Sequence, residues 1–164
     1  ISPYIELPKK LTVKENLIVY GKLYKIKNLN DRIDYLTSKL RLSDILNRIT
    51  GELSSGQKNR ASLAKSLIND PKVLLLDEPT ASLDPEIGDF IRSFLEDYKK
   101  EKKISILLAS HNMNEVTRLC KSILMMKDGI IVDSGSPANL IEKHGRKNLE
   151  EVFLKLSRRP NEHN

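Results

Sequence analysis

The segment Leu53-Ser54-Ser55-Gly56-Gln57 contains the residue types that bind anions at the start of a helix. Ser54 and Gln57 have the spacing of a capping box, in which the two side chains fasten the first turn. The first amide groups of a helix lack an intrahelical acceptor and lie at the positive end of its dipole, so they attract phosphate. Gly56 leaves the backbone open to close approach. Taken alone, the pattern is also typical of an ordinary capped helix.

Two adjacent carboxylates follow an apolar run further along the chain. Val73-Leu74-Leu75-Leu76 does not alternate with polar residues, which predicts an inner strand covered on both faces. Asp77 and Glu78 come at its carboxyl end, where open α/β sheets bind their ligands. Asp77 is suited to hold Mg²⁺, and Glu78 is suited to polarise an attacking water. A plain polar turn is the alternative, but the run Ser82-Leu83-Asp84 that follows favours the functional interpretation.

A histidine follows the next apolar segment. Ile104 to Ala109 predicts a second strand, and His111 comes directly after it within Ser110-His111-Asn112. Neighbouring parallel strands end at the same edge of a sheet, so His111 is placed to reach the same phosphate as the two carboxylates. A single histidine would otherwise be an ordinary core or surface residue.

Helical patterns fill the chain from Thr12 to about Leu67. Thr12-Val13-Lys14-Glu15 is a second capping box and predicts the start of a helix. Asn69-Asp70-Pro71 ends the helix that precedes the first strand. These helices carry residues that fall on one face at helical spacing: Leu17, Tyr20, Gly21 and Tyr24; Ile33, Leu36 and Leu40; Ala61, Ala64, Leu67 and Ile68.

From Val73 onward, strand and helix patterns alternate, which favours parallel strands joined by crossover helices. Asp84-Pro85 supplies a helix N-cap followed by proline at the first helical position. Asn112 to Lys121 is predicted as a further helix, and Asp128-Gly129 as the turn of a hairpin. The chain ends in an amphipathic helix and a polar tail from Ser157 to Asn164.

Composition removes several classes of protein. The 164 residues include 30% charged residues and one cysteine, Cys120, so a disulfide scaffold and a cysteine-zinc fold are excluded. No apolar run is long enough to cross a bilayer. The net charge of +6 would suit nucleic acid or anionic lipid, but the basic residues are scattered, and we expect no nucleic-acid partner. The chain starts with Ile1 rather than methionine, so we expect it to be part of a longer product.

Taken together, these motifs resemble the nucleotide-binding domain of ATP-binding cassette (ABC) proteins. Leu53 to Gln57 is similar to the family signature, Leu74 to Glu78 to its Walker B strand with the catalytic glutamate, and Ser82-Leu83-Asp84 to its D-loop. His111 matches the switch histidine, and Leu11 to Leu17 resembles the segment that opens the helical subdomain. Asn148 to Leu154 is similar to the end of exporter-type cassettes.

The resemblance implies an α/β fold, a partial P-loop NTPase (RecA-like) core with a parallel sheet plus the ABC helical subdomain. Residues 1–70 would form the helical subdomain, 71–135 the core, and 136–164 the C-terminal helices and tail. The expected ligands are ATP and Mg²⁺. Glu78 and His111 would be catalytic, Asp77 would bind the metal, and the nucleotide would contact the remaining motif residues: Ser54, Ser55, Gly56, Gln57 and Asp84.

The same resemblance implies partners and a location. The domain would be the ATPase subunit of an exporter, paired with a second cassette and with transmembrane permease subunits, on the cytoplasmic side of the cell membrane. In such a pair each ATP lies between the Walker motifs of one cassette and the signature of the other. A non-transport ABC ATPase and a catalytically dead remnant that completes a partner's site are the alternatives. The membrane partner would select the cargo, which the sequence does not identify.

Departures from the family pattern are equally informative. No Gly-x-x-x-x-Gly-Lys-Ser/Thr loop occurs among the seven glycines, and Gly51 to Lys58 only imitates it, because Gln57 stands where the lysine should. No glutamine occurs in Ile1 to Lys10, where the Q-loop is expected. Ser55 replaces a signature glycine. We therefore expect the carboxyl-terminal portion of a cassette, with one edge or face of the strand Val73 to Leu76 uncovered, and no ATP hydrolysis by this chain alone.

Overall fold

The computed structural model describes residues 7–81 and 83–158. The Q-loop region before Leu7, Ser82 of the D-loop and most of the polar tail therefore lie outside the described residues. Those described form two compact units, one ending at Ala109 and the other beginning at Ser110.

The first unit contains four helices and two strands among its described residues. Helices α1 (Val13–Leu23), α2 (Leu29–Lys39) and α3 (Ser55–Leu67) come first, with 3₁₀ turns at Ser43–Ile45 and Thr50–Glu52. Strand β1 (Val73–Asp77), helix α4 (Pro85–Lys102) and strand β2 (Ser105–Ala109) follow. The strands pair in parallel, from Val73 beside Ser105 to Asp77 beside Ala109. The predicted strand–helix–strand crossover is thus confirmed.

Local sequence signals explain where the helices of this unit begin. The Thr12 hydroxyl accepts from the amide of Glu15 at 3.1 Å, and the Glu15 carboxylate accepts from the amide of Thr12 at 2.8 Å. Asp84 caps α4 by accepting from the amide of Ile87, with Pro85 at the first helical position. The helices enclose a core whose fully buried members include Leu17, Leu36, Leu40, Leu63, Leu67, Ile91 and Leu95.

A partly buried polar cluster joins α2, the segment after α3, and α4. The Arg32 guanidinium donates to the Asp70 carboxylate at 2.8 Å and to the Tyr98 hydroxyl at 2.9 Å. The Tyr98 hydroxyl in turn donates to Asp70 at 2.9 Å. Burial raises the pKa of Tyr98 to about 12, so this hydroxyl keeps its proton.

The first strand is in the predicted place, but its surroundings differ from the prediction. Leu74 and Leu76 are buried, whereas Val73 and Leu75 on the other face are 58% and 60% exposed. Within the described residues β1 pairs with β2 alone. The prediction of an inner strand covered on both faces is therefore wrong for this part of the chain, and the expectation of an uncovered face is confirmed.

The part of the second unit that the structure describes, residues 110–158, combines a hairpin with three helices. Helix α5 (Met113–Leu119) precedes strands β3 (Ile123–Lys127) and β4 (Ile130–Gly135), and helices α6 (Pro137–His144) and α7 (Leu149–Arg158) follow. Asp128 and Gly129 both have positive φ, at 49° and 78°, as the predicted tight turn requires. Helix α5 ends two residues before the predicted Lys121, because Cys120 is already extended at ψ 131°.

The Asp133 carboxylate links β4 to α6. Asp133 accepts from Lys143 Nζ at 2.7 Å and lies 2.6 Å from His144 Nε2, and the Asp133 and His144 side chains are both buried. The Lys143 hydrogen bond, followed by the His144 contact, lowers the pKa of Asp133 to about 2.

Among the described residues no helix combines the length and the apolar character needed to cross a bilayer.

The uncovered face of β1 and β2 leads to a prediction about association. Leu75 and Leu107 are paired neighbours, 60% and 66% exposed, and parallel sheets are normally covered on both faces. We expect the isolated chain to self-associate with rising concentration, and Leu75→Gln with Leu107→Gln to reduce this association in analytical ultracentrifugation. Leu23→Gln, at an exposed helix end, is the matched control. A monomer at every concentration would contradict the prediction.

The Asp133 cluster leads to a prediction about acid stability. The folded pKa is depressed, so its contribution to stability is present above the unfolded pKa near 3.8 and is lost as pH falls towards about 2. Asp133→Asn should reduce the free energy of unfolding by about 1–3 kcal/mol at neutral pH. In urea titrations from pH 5 to pH 2 the difference between variant and parent should shrink. The exposed Asp97→Asn is the control, and a difference that stays constant across this range would refute the assignment.

Candidate functional site

The tip of α3 has the geometry that the sequence predicts. The Ser54 hydroxyl accepts from the Gln57 amide at 3.3 Å, and the Gln57 side-chain oxygen accepts from the Ser54 amide at 3.0 Å. Ser54 is extended, at φ −64° and ψ 164°, so the helix begins at Ser55. Both serines are exposed. The amides of the first turn after Ser54 therefore begin a helix at the protein surface, where an anion can approach them.

Gly56 is not required by the fold of this unit. It is helical rather than left-handed, and a Cβ added to it would lie 3.5 Å from the Ile87 side chain, which is an ordinary contact. In a helix glycine is less favourable than alanine by about 0.5–1 kcal/mol. Neither conformation nor packing among the described residues explains this glycine.

The two carboxylates lie at a sharp turn after β1. Asp77 is the last residue of the strand, beside Ala109, and the Glu78 amide donates to the Ala109 carbonyl at 2.9 Å. Glu78 has φ +47°, a left-handed conformation that a residue with a side chain adopts at a cost of about 1–3 kcal/mol. The Ala81 amide then donates to the Glu78 carbonyl at 3.1 Å. The parallel pairing and this turn together fix Glu78 at the end of the strand.

The other predicted residues lie at helix starts. Asp84 accepts from the Ile87 amide at 3.0 Å, so its carboxylate caps α4. His111 belongs to the second unit, where it is exposed and immediately precedes the α5 cap Asn112. The Asn112 side-chain oxygen Oδ1 accepts from the amides of Asn114 and Glu115, which holds the backbone next to His111 in place.

The structure brings most of the predicted motifs into one unit. The signature tip, Asp77, Glu78 and Asp84 all belong to the first unit, and His111 belongs to the second. Within the first unit, α3 meets the segment after β1 at two points. Gly56 faces Ile87, and Asn59 Nδ2 donates to the Pro79 carbonyl at 2.8 Å.

Sequence reasoning missed three hydrogen-bonded anchors of this region. The first is Asn59, which donates to the Pro79 carbonyl. Thr50, just before the signature, donates to the carbonyls of Pro8 and Leu11 at 2.8 and 3.1 Å. Asn16 donates to the same two carbonyls and to that of Thr12. Thr50 lies between Ile49 and Gly51, whereas Asn16 and Asn59 each have a charged neighbour, so no shared local pattern marks these residues.

The donor set fits the expected ligands. Asp77 offers the carboxylate oxygen that Mg²⁺ prefers, and Mg²⁺ commonly uses one or two carboxylates together with phosphate oxygens and water. Among the described residues, no group of three or more histidine, cysteine, aspartate and glutamate side chains could hold a metal ion. Asp77 as a ligand of Mg²⁺, together with phosphate, stays a prediction. Bound there, the ion would neutralise phosphate charge.

Comparison with known proteins gives consistent results. Residues 3–81 match the ABC transporter family. The chain is 35% identical over 147 residues to the ABC transporter ATP-binding protein NatA of Bacillus subtilis, covering 88% of this chain and 59% of NatA. It is 36% identical over 155 residues to a Nod factor export ATP-binding protein I from a Rhizobium species, covering 93% of this chain and 51% of that protein.

A solved structure agrees with these relatives. The dimeric, post-hydrolysis structure of the ATP-binding cassette MJ0796, bound to ADP and Pi, has a TM-score of 0.72 at 25% identity, covering 79% of this chain and 58% of that one. The chain therefore belongs to the ABC transporter ATP-binding family. The predicted fold class, a partial P-loop NTPase core with parallel strands and the ABC helical subdomain, is confirmed. The chain spans little more than half the length of the curated relatives it matches.

Gly56 leads to a prediction that separates folding from function. Gly56→Ala should leave the fold intact and raise the free energy of unfolding by about 0.5–1 kcal/mol, because alanine is the better helix former and its Cβ has room beside Ile87. Chemical denaturation measures the change. Gly88→Ala is the comparison within a helix, since its Cβ would lie 3.3 Å from the Arg92 guanidinium and the gain should be smaller. A loss of stability in Gly56→Ala would show that packing requires the glycine.

Proposed function

We propose that this chain is part of the ATP-binding subunit of an exporter-type ABC transporter, which couples ATP binding and hydrolysis to transport through separate membrane subunits. The observation that carries the proposal is the exposed, capped tip of α3, whose glycine the fold does not need. The named relatives support it, because they include an ABC transporter ATP-binding protein and proteins of Nod factor export.

The proposal includes pairing with a second cassette. The surface tip Ser54 to Gln57 would contact the phosphates of an ATP held by the partner, through the amides of the first helical turn. The match to a cassette structure that is dimeric and contains ADP and Pi supports this arrangement. Homodimer and heterodimer would use the same tip.

The carboxylates and the histidine would serve the other nucleotide. Asp77 would hold Mg²⁺, Glu78 would accept a hydrogen bond from the attacking water and polarise it, and His111 would contact the terminal phosphate. Asp84 belongs to the D-loop and would contact the bound nucleotides. Its carboxylate also caps α4. The turn that fixes Glu78 favours this role, because a general base must be held within hydrogen-bond reach of its proton.

The proposal also includes the organisation and location of the subunit. Residues 1–70 would form the helical subdomain, 71–135 the core and 136–164 the C-terminal helices. The subunit would lie at the cytoplasmic face of the cell membrane, against its permease. The cargo would be selected by that permease.

The chain alone is expected to hydrolyse no ATP. The 164 residues contain no Gly-x-x-x-x-Gly-Lys-Ser/Thr, and the nearest imitation, Gly51 to Lys58, lies across a 3₁₀ turn and the start of α3 rather than after a strand. The purified chain should show only background phosphate release with Mg-ATP. Release above background that Glu78→Gln abolishes would contradict this expectation.

A complementation assay tests the positive part of the proposal. An intact relative, NatA with its own signature serine replaced by alanine, would supply the phosphate-binding loop. Excess chain should restore part of its ATPase activity, and a chain carrying Ser54→Ala with Gly56→Ala should not. Equal activity with both chains, or with neither, would refute the role of the tip.

A further inference from the structure

Asn59 lies on α3 two residues after the signature glutamine and reaches a distant part of the chain. Its side-chain nitrogen donates to the carbonyl of Pro79, 20 residues further along, at 2.8 Å in partly buried surroundings. Pro79 is buried and directly follows Glu78. This hydrogen bond joins the helix of the signature to the turn that carries the proposed catalytic carboxylate.

The other backbone groups of that turn are held by the strand and by the turn itself. The Glu78 amide donates to Ala109, and the Glu78 carbonyl accepts from the Ala81 amide. The Thr80 carbonyl accepts from the Leu83 amide at 3.4 Å. The carbonyl between these two, that of Pro79, is bound by Asn59. A buried carbonyl needs such a partner, and Asn59 supplies it.

A second contact of α3 lies on the same helix face as this hydrogen bond. Gly56 and Asn59 are three residues apart and therefore lie on the same face of the helix. Gly56 lies against Ile87 and Asn59 against Pro79. One face of the first two turns thus contacts Pro79 and Ile87. A displacement of the tip would be carried to that segment by a short, packed helix.

We infer that Asn59 is a positioning residue that couples the signature tip to the Glu78 turn. The inference rests on the proposed function, in which the tip contacts a nucleotide held by the partner and Glu78 acts on the other nucleotide. Through this hydrogen bond, occupation of one nucleotide site would alter the position of the carboxylate in the other. Asn59 itself touches neither nucleotide.

Two substitutions separate hydrogen bonding from packing. Asn59→Asp keeps the shape of the side chain, but an ionised carboxylate cannot donate to the Pro79 carbonyl. Below about pH 4 the carboxyl becomes neutral and regains an O–H donor. Asn59→Leu fills a similar volume and donates at no pH. A role in packing alone would leave Asn59→Asp indistinguishable from the parent chain.

Hydrogen exchange of the full 164-residue chain at low micromolar concentration is the first measurement. At pH 7 both variants should speed exchange at the amides of Glu78 and Ala81 by about fivefold, equivalent to the loss of one ordinary hydrogen bond. Below pH 4, after correction for intrinsic rates, Asn59→Asp should return to the parent rate and Asn59→Leu should not. Lys58→Ala is the matched control on the same turn, and exchange in α2 reports that each variant is folded.

Either of two results would overturn the inference. One is parent-like exchange in Asn59→Asp at pH 7, and the other is exchange that stays fast in this variant below pH 4. If Asn59→Asp fails to fold at pH 7, the second measurement, described next, tests the inference. It begins with a chain in which Asn59 is unchanged.

The second measurement tests transmission from the tip. Ser54→Ala removes the cap and loosens the first turn of α3. Exchange at Glu78 and Ala81 should rise in the chain that keeps Asn59 and should rise no further when Asn59→Leu is already present. No effect of Ser54→Ala on the Glu78 turn, or equal increments in both backgrounds, would overturn the inference.

Failure of the proposed function would look different. If the chain never restores activity to the NatA variant while the exchange results are as expected, the proposed role of the tip fails and the mechanical link through Asn59 stands. If the chain restores activity and the exchange results are negative, the link fails and the function stands.

Discussion

The parallel pairing of β1 with β2 is the constraint on which the candidate site depends. Register places Asp77 beside Ala109, and the next amide, that of Glu78, still donates across to β2. Parallel strands also need a crossover, so the chain must leave β1 at a sharp turn and enter α4 within a few residues. Glu78, in a left-handed conformation, and Asp84, the cap of α4, both lie on this connection. The positions of Asp77 and Glu78 thus follow from strand pairing.

Sequence patterns anticipated the parts of the structure that depend on neighbouring residues. The two capping boxes, the Asp84-Pro85 helix start and the Asp128-Gly129 turn each involve residues within four positions of one another, and the structure contains all of them. The parallel pairing was also predictable, because alternating strand and helix segments leave few other topologies. These signals were enough to find the motifs and to arrange most of them along the fold.

Contacts between distant residues were not predictable in the same way. Asn59 binds Pro79 20 residues away, and Arg32 joins Asp70 and Tyr98, which lie 38 and 66 positions further along. Each is a polar side chain whose partner is determined by how helices pack, and no local pattern encodes that. The apolar run of β1 predicts a strand covered on both faces, and this prediction is wrong. Such a run shows what a strand can bury and not what lies against it.

Two residues at the candidate site are poor choices for local stability, and together they indicate where function constrains the sequence. Gly56 occupies a helical position where alanine would fit and would be more stable. Glu78 occupies a left-handed position where glycine or asparagine would be less strained. Left-handed conformations also occur outside the candidate site, as at Lys25, Arg41 and Lys103. What sets the candidate site apart is that the helical glycine and the left-handed glutamate belong to motifs of one proposed nucleotide site, where one would admit a phosphate and the other would present a carboxylate, and proteins tolerate local conflict mainly at functional sites.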